Sequence, residues 1–155
     1  MKNKDLYSYK RILDMLTGEY VDEAMPTDLQ IASNSETPSA AGNFALVTFD
    51  VLPGQECIIG DVDFGASAAA TAEIEASYVD ILGNSKTITR YIYLGAAGFI
   101  NQVHDVNRNP YMAFYNPTVQ GTNTPANATV TMTVISAADT VEYTGNIAYV
   151  ARSSE

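Results

Sequence analysis

Residues Asn127 to Ser136 read NATVTMTVIS, with Val130, Met132 and Val134 alternating with Thr129, Thr131 and Thr133. A period of two places the three apolar side chains on one face and the threonines on the other, as a strand buried on one side requires. The same pattern recurs along most of the chain, which therefore reads as predominantly antiparallel β. Upstream lies NPTVQGTNTPAN, Asn116 to Asn127, a Pro-, Gly- and Asn-rich stretch expected to project from the end of a sheet. Downstream, Thr140 to Tyr143 and Asn146 to Ala151 read as a closing hairpin around Thr144-Gly145.

Earlier strands follow in succession. In Phe44 to Leu52 the apolar positions are Ala45, Val47, Phe49 and Val51, and Pro53-Gly54 supplies a turn. Glu56 to Ile59 resumes the sheet, and DVDFGASAAA after Gly60 loses clear alternation. Thr71 to Leu82 turns Ala72, Ile74, Ala76 and Tyr78 inward, and the slip at Tyr78-Val79 predicts a β-bulge. Lys86 to Leu94 carries Ile88, Ile92 and Leu94 on one face and Thr87, Thr89, Tyr91 and Tyr93 on the other. Arg90 falls on the apolar face, which places it near a sheet edge or beside a carboxylate. Gly95 to Val103 gives a turn and a strand, and Tyr111 to Tyr115 a short aromatic strand. About eight strands without an internal repeat favour an all-β fold, an antiparallel two-sheet sandwich, most simply a jelly roll.

Ahead of the strands, Leu6, Tyr9, Ile12, Leu13 and Leu16 recur at spacings of three and four, predicting one short amphipathic helix from Lys4 to Thr17. Asn3 is placed to cap it and Gly18 to end it. The helix reads either as a lid on the β-domain or as a docking arm for another subunit. Glu19 to Asn43 is polar and contains Pro26 and Pro38, an extended arm expected to be ordered by contacts outside its own core. The expected organisation is thus a helix and arm over residues 1–43 and a sandwich over 44–155.

Composition limits function. At 155 residues the chain suits one domain, and no apolar run approaches the roughly 20 residues of a membrane-spanning helix. The first residues lack the apolar core and cleavage site of a secretory leader. Net charge is −10, but the first 11 residues, with Lys2, Lys4, Lys10 and Arg11 against Asp5, carry +3 and the remaining 144 carry −13. That acidic body repels nucleic acid phosphates, so no nucleic acid partner is expected. Cys57 is the lone cysteine, which excludes an internal disulfide, and its neighbours Ile58 and Ile59 suggest a buried, inert thiol. One Cys and one His also leave no set of ligands for a structural zinc.

No catalytic constellation is legible. His104-Asp105 is the one local acid-base pair, and adjacent residues of an extended segment point to opposite sides. Glu73 and Glu75 share a strand face in the manner of paired carboxylates, and read more simply as its solvated side. Asp61 and Asp63, with Asp50 or Glu56, offer oxygen ligands for calcium without the spacing of a calcium loop. GASAAA lacks the Lys-Ser/Thr of a phosphate loop, and Asn127-Ala128-Thr129 is a glycosylation triplet of a kind that occurs by chance. No cofactor is expected.

Ten tyrosines and no tryptophan remain to be explained. Tyr91, Tyr93, Tyr111 and Tyr115 are expected to form one stripe, which suits an interface with a neighbour, a platform for sugar rings, or the cover of a half-exposed sheet.

TFDVLPGQECIIG, ASYVDILGNSKTITRYIYLG and NPYMAFYNPTVQGTNTPANATVTMTVIS, within Phe44 to Arg152, resemble the small β-sandwich proteins that viruses of bacteria and archaea carry on their shells as cement, decoration or turret components. The shared traits are Thr-rich alternating strands, Ala/Gly/Asn loops, an N-terminal arm and no active site. The resemblance implies a non-enzymatic virion protein, assembled in the host cytoplasm, whose partners are a capsid shell protein and copies of itself. The expected interface comprises Leu6, Tyr9, Lys10, Arg11, Leu13 and Leu16 of the helix with Tyr91, Tyr93, Tyr111 and Tyr115. Closed cyclic symmetry, a trimer or pentamer, would bury these stripes. The competing reading is a carbohydrate-binding sandwich in which the tyrosines hold the glycan.

Overall fold

A computed structural model describes residues 29–153. The helix expected at 4–17, with Leu6, Tyr9, Lys10, Arg11, Leu13 and Leu16, lies outside them. Among the described residues nine strands form: β1 (Gln30–Glu36), β2 (Gly42–Val51), β3 (Gln55–Ala66), β4 (Ala70–Val79), β5 (Ser85–Leu94), β6 (Gly98–Gln102), β7 (Met112–Tyr115), β8 (Ala128–Ala137) and β9 (Tyr143–Ser153). All pairings are antiparallel, in two sheets. Sheet A has the order β1-β9-β3-β6, with β7 also pairing β3, over Glu56–Ile59 where β6 takes Val62–Ala66, and sheet B has the order β2-β8-β4-β5. β1 lies against β2, and β6 against β5, so the sandwich has β1 on one side and β5 on the other.

The inner faces meet as the alternation demands. Val130, Met132 and Val134 of β8 are fully buried while Thr129 and its fellow threonines face outward. They pack with Ala72, Ile74 and Ala76 of β4 and, from sheet A, Ile59, Val62, Phe64 and Ile147. Burying a side chain of this size contributes about 1.5–3 kcal/mol, so the core outweighs any single surface contact. Phe49 of β2 stacks on Tyr149 of β9 at 3.8 Å between centroids and 9° between planes, closing the β1 side. Tyr78 of β4 stacks on Phe114 of β7 at 5.2 Å on the other.

Several expectations are corrected. β1 occupies residues expected to belong to an extended arm; it pairs with β9 over Gln30–Glu36, so these residues take their order from this chain's own sheet. In β2 a register shift between Ala45 and Val47 inserts Leu46 as an extra residue. Leu46 is therefore buried and Ala45 exposed, the reverse of the simple alternation.

β3 runs unbroken from Gln55 to Ala66, its alternation obscured by a register shift between Ile59 and Val62. The expected bulge at Tyr78-Val79 is not formed; β4 ends there, and Ile81 and Leu82 belong to an exposed turn. Thr144-Gly145 is not a turn but part of β9. A Cβ on Gly145 would lie 2.6 Å from Met132 Sδ and 3.0 Å from Leu46 Cδ2, so the glycine answers to packing between the sheets.

The turn expected at Pro53-Gly54 forms: Gly54 has φ 90°, and the Gln55 amide donates to Leu52 carbonyl at 3.1 Å, as a turn with Pro then Gly at its corners requires. Arg90 lies on β5, an edge strand, where its inward position still reaches solvent.

Candidate functional site

Two surfaces stand out. The first is one end of the sandwich, where the turns 52–54 and 80–84 meet the long loop 116–127. Gly54 N donates to Asn116 carbonyl at 2.6 Å, and Gly121 N to Ile81 carbonyl at 3.0 Å, tying the three segments together. Gly121 has φ 63°, and a Cβ there would meet Leu82 carbonyl oxygen at 2.8 Å, so this approach of two backbones demands glycine.

The loop is held from within. Asn116 and Gln120 are the buried polar residues among those described. Asn116 Nδ2 donates to the carbonyls of Val51 and Ala126, each at 3.0 Å. Gln120 Nε2 donates to Asn116 Oδ1 and to the carbonyls of Pro117 and Ala126, and its Oε1 accepts from Ala126 N. Asp80 orders the neighbouring turn by accepting from Asn84 N and Leu82 N, which lowers its carboxyl from the usual carboxylate value. On this fixed base Leu52, Ile81, Leu82 and Val119 are each more than half exposed. Four exposed apolar side chains on hydrogen-bonded loops form a firm apolar crown.

The second surface is the outer face of sheet B along β4 and β5. Tyr91 pairs in register with Glu73, Tyr93 with Thr71 and Thr89 with Glu75. The two tyrosine rings lie 6.2 Å apart at 18°, both exposed. The Tyr91 hydroxyl donates to Glu73, and this bond with the negative charge of Glu73 raises the phenol's affinity for its proton.

The expected four-tyrosine stripe is divided. Tyr91 and Tyr93 stand on sheet B, whereas Tyr115 faces outward from β7 in sheet A, and Tyr111, directly before β7, is buried. Burial raises the Tyr111 phenol, and Arg90 opposes the shift. Tyr111 meets the His104 ring edge-on at 5.3 Å. His104 N donates to Asp61 Oδ1 at 2.9 Å, and its Nδ1 lies 3.1 Å from Asn109 carbonyl, so the histidine packs a loop.

Asp63 sits in register between Asn146 of β9 and Asn101 of β6. Its Oδ1 is shielded and takes no hydrogen bond among the described residues; burial and the charge of Asp61 raise its carboxyl, opposed by the two flanking amides. Among the described residues no three His, Cys, Asp or Glu side chains group to hold a metal ion. Nor is any helix among them long and apolar enough to cross a membrane.

The crown escaped the sequence reading. Its signal is apolar residues set within turn-forming text, Ile81-Leu82 before Gly83 and Val119 before Gln120-Gly121. No protein-family model, curated protein or solved structure matches the chain.

Proposed function

We propose that the chain is a non-enzymatic structural subunit of a virion, of the decoration, cement or turret type, that works by assembling with a capsid shell protein and with copies of itself. The observation that carries this reading is the crown: Leu52, Ile81, Leu82 and Val119 exposed on loops fixed by buried Asn116 and Gln120. Loops rigidified from beneath while their apolar tips stay wet suit a partner that covers them, because docking then orders little further chain. The sheet orders β1-β9-β3-β6 and β2-β8-β4-β5 support reading the sandwich as a jelly roll, two interlocked Greek keys, an architecture used in viral capsids.

Light scattering on the full chain and on Leu82→Asp/Val119→Asp tests the assembly. A defined oligomer that the double variant loses supports it; an unchanged oligomer removes the crown from the interface. Genes for a shell protein, a portal and a packaging motor beside this one support the virion setting. The exposed Tyr91 and Tyr93 beside Glu73 also favour a second reading, a sugar-binding strip. A glycan array that shows specific binding lost in Tyr91→Ala would establish that alternative.

A further inference from the structure

We infer that the outer face of β4 and β5 receives the basic N-terminal segment, Lys2 to Arg11, of a second copy of this chain. The inference rests on the assembly reading above and names the partner of that surface. Sheet B presents Asp50, Glu73 and Glu75 outward with no cation among them: Lys86 and Arg90 of β5 have the parity of Ile88 and Ile92 and belong to the inner side. Lys86 is engaged by Asp80 at 3.8 Å. Glu73 and Glu75 are two residues apart on one face; on β5 Tyr91 stands opposite Glu73, its ring stacked with that of Tyr93, and Thr89 stands opposite Glu75.

A pair of carboxylates beside two exposed rings suits ammonium and guanidinium groups, which gain both ion pairing and the attraction of the ring faces. Within this chain the matching charge is concentrated in MKNKDLYSYKR, whose Lys2, Lys4, Lys10 and Arg11 are half of the eight basic residues.

Placement allows a second copy as the acceptor, and the isotope-mixed cross-linking below separates that contact from one within a single chain. The chain enters the sandwich at β1, on the side away from β5. A donor segment leaving one side and an acceptor face on the other form a head-to-tail contact, the kind that closes into rings when the rotation permits. The stretch between Arg11 and Gln30 spans at most roughly 65 Å, enough to bridge adjacent subunits.

Zero-length carbodiimide cross-linking of the full chain, with equal parts of isotopically light and heavy protein, tests this directly. The expected product joins Glu73 or Glu75 to Lys2, Lys4 or Lys10 and includes light-heavy pairs. Self-association should weaken about tenfold in Glu73→Gln/Glu75→Gln, as expected for the loss of two exposed ion pairs. Lys4→Glu/Lys10→Glu should weaken it similarly, and adding Glu73→Lys/Glu75→Lys to that variant should restore it. Cross-links confined to single chains, or made only at other carboxylates, overturn the inference. An oligomer indifferent to all these variants overturns it while leaving assembly through the crown intact.

Discussion

Gln120 Nε2 donates to Asn116 Oδ1 at 3.1 Å, joining the two buried polar side chains that bind the 116–127 loop to the end of the sandwich. Together they satisfy the carbonyls of Val51, Pro117 and Ala126 and the amide of Ala126. Gln120→Leu would strand several of these groups away from water. Its expected cost is about 2–4 kcal/mol, read by denaturant unfolding. Because the two residues share one network, Asn116→Leu/Gln120→Leu should cost less than the sum of the single changes.

Gly145→Ala should destabilise by about 1–3 kcal/mol, since the new methyl group meets Met132 Sδ, Leu46 and Val47 at once. Combining it with Met132→Val removes the nearest obstacle. The pair should then lose less than the two changes taken singly, a non-additivity visible in thermal melts.

Cys57 has no exposed surface, and burial pushes its thiol up to about 12. Thiolate is the reactive form, so a disulfide reagent should leave the native protein unmodified for as long as it stays folded. Labelling is expected to follow the unfolding curve in denaturant; prompt reaction in buffer would contradict the burial.

Asp63 makes folding less favourable while it is charged, because its carboxyl is raised in the folded state by burial and by Asp61. That penalty is fully present above the folded value and relieved as pH falls through it toward the unfolded value of about 3.9. Asp63→Asn should therefore raise the melting temperature at neutral pH. The advantage should shrink on acidification, and melts across the acid range read it directly.

How much of this was legible depends on what each pattern encodes. Period two revealed the faces of β8, β4 and β5, because a buried and a wet side leave opposite residues in alternation. It does not encode which sheet a strand joins, so Tyr91 and Tyr115 read alike although β5 and β7 lie in different sheets.

Register shifts defeated it in β2 and β3, where one added residue inverts the phase. β1 was hidden for another reason: QIASNSE is an exposed edge whose side chains bury little, so composition alone reads as loop. The Asn116–Gln120 network left no trace, since amides buried by tertiary contacts look like any polar loop residues.

That polar edge has a consequence for trimming the chain. With β1 in place, the rim of sheet A is a seven-residue strand of mostly hydrophilic side chains. Cutting at residue 43 would transfer the rim to β9, eleven residues long and carrying Ile147, Tyr149 and Val150. Such a border invites strand-on-strand stacking between molecules and insoluble growth. A shortened protein meant to stay in solution should begin no later than residue 29, keeping β1 as its guard rail.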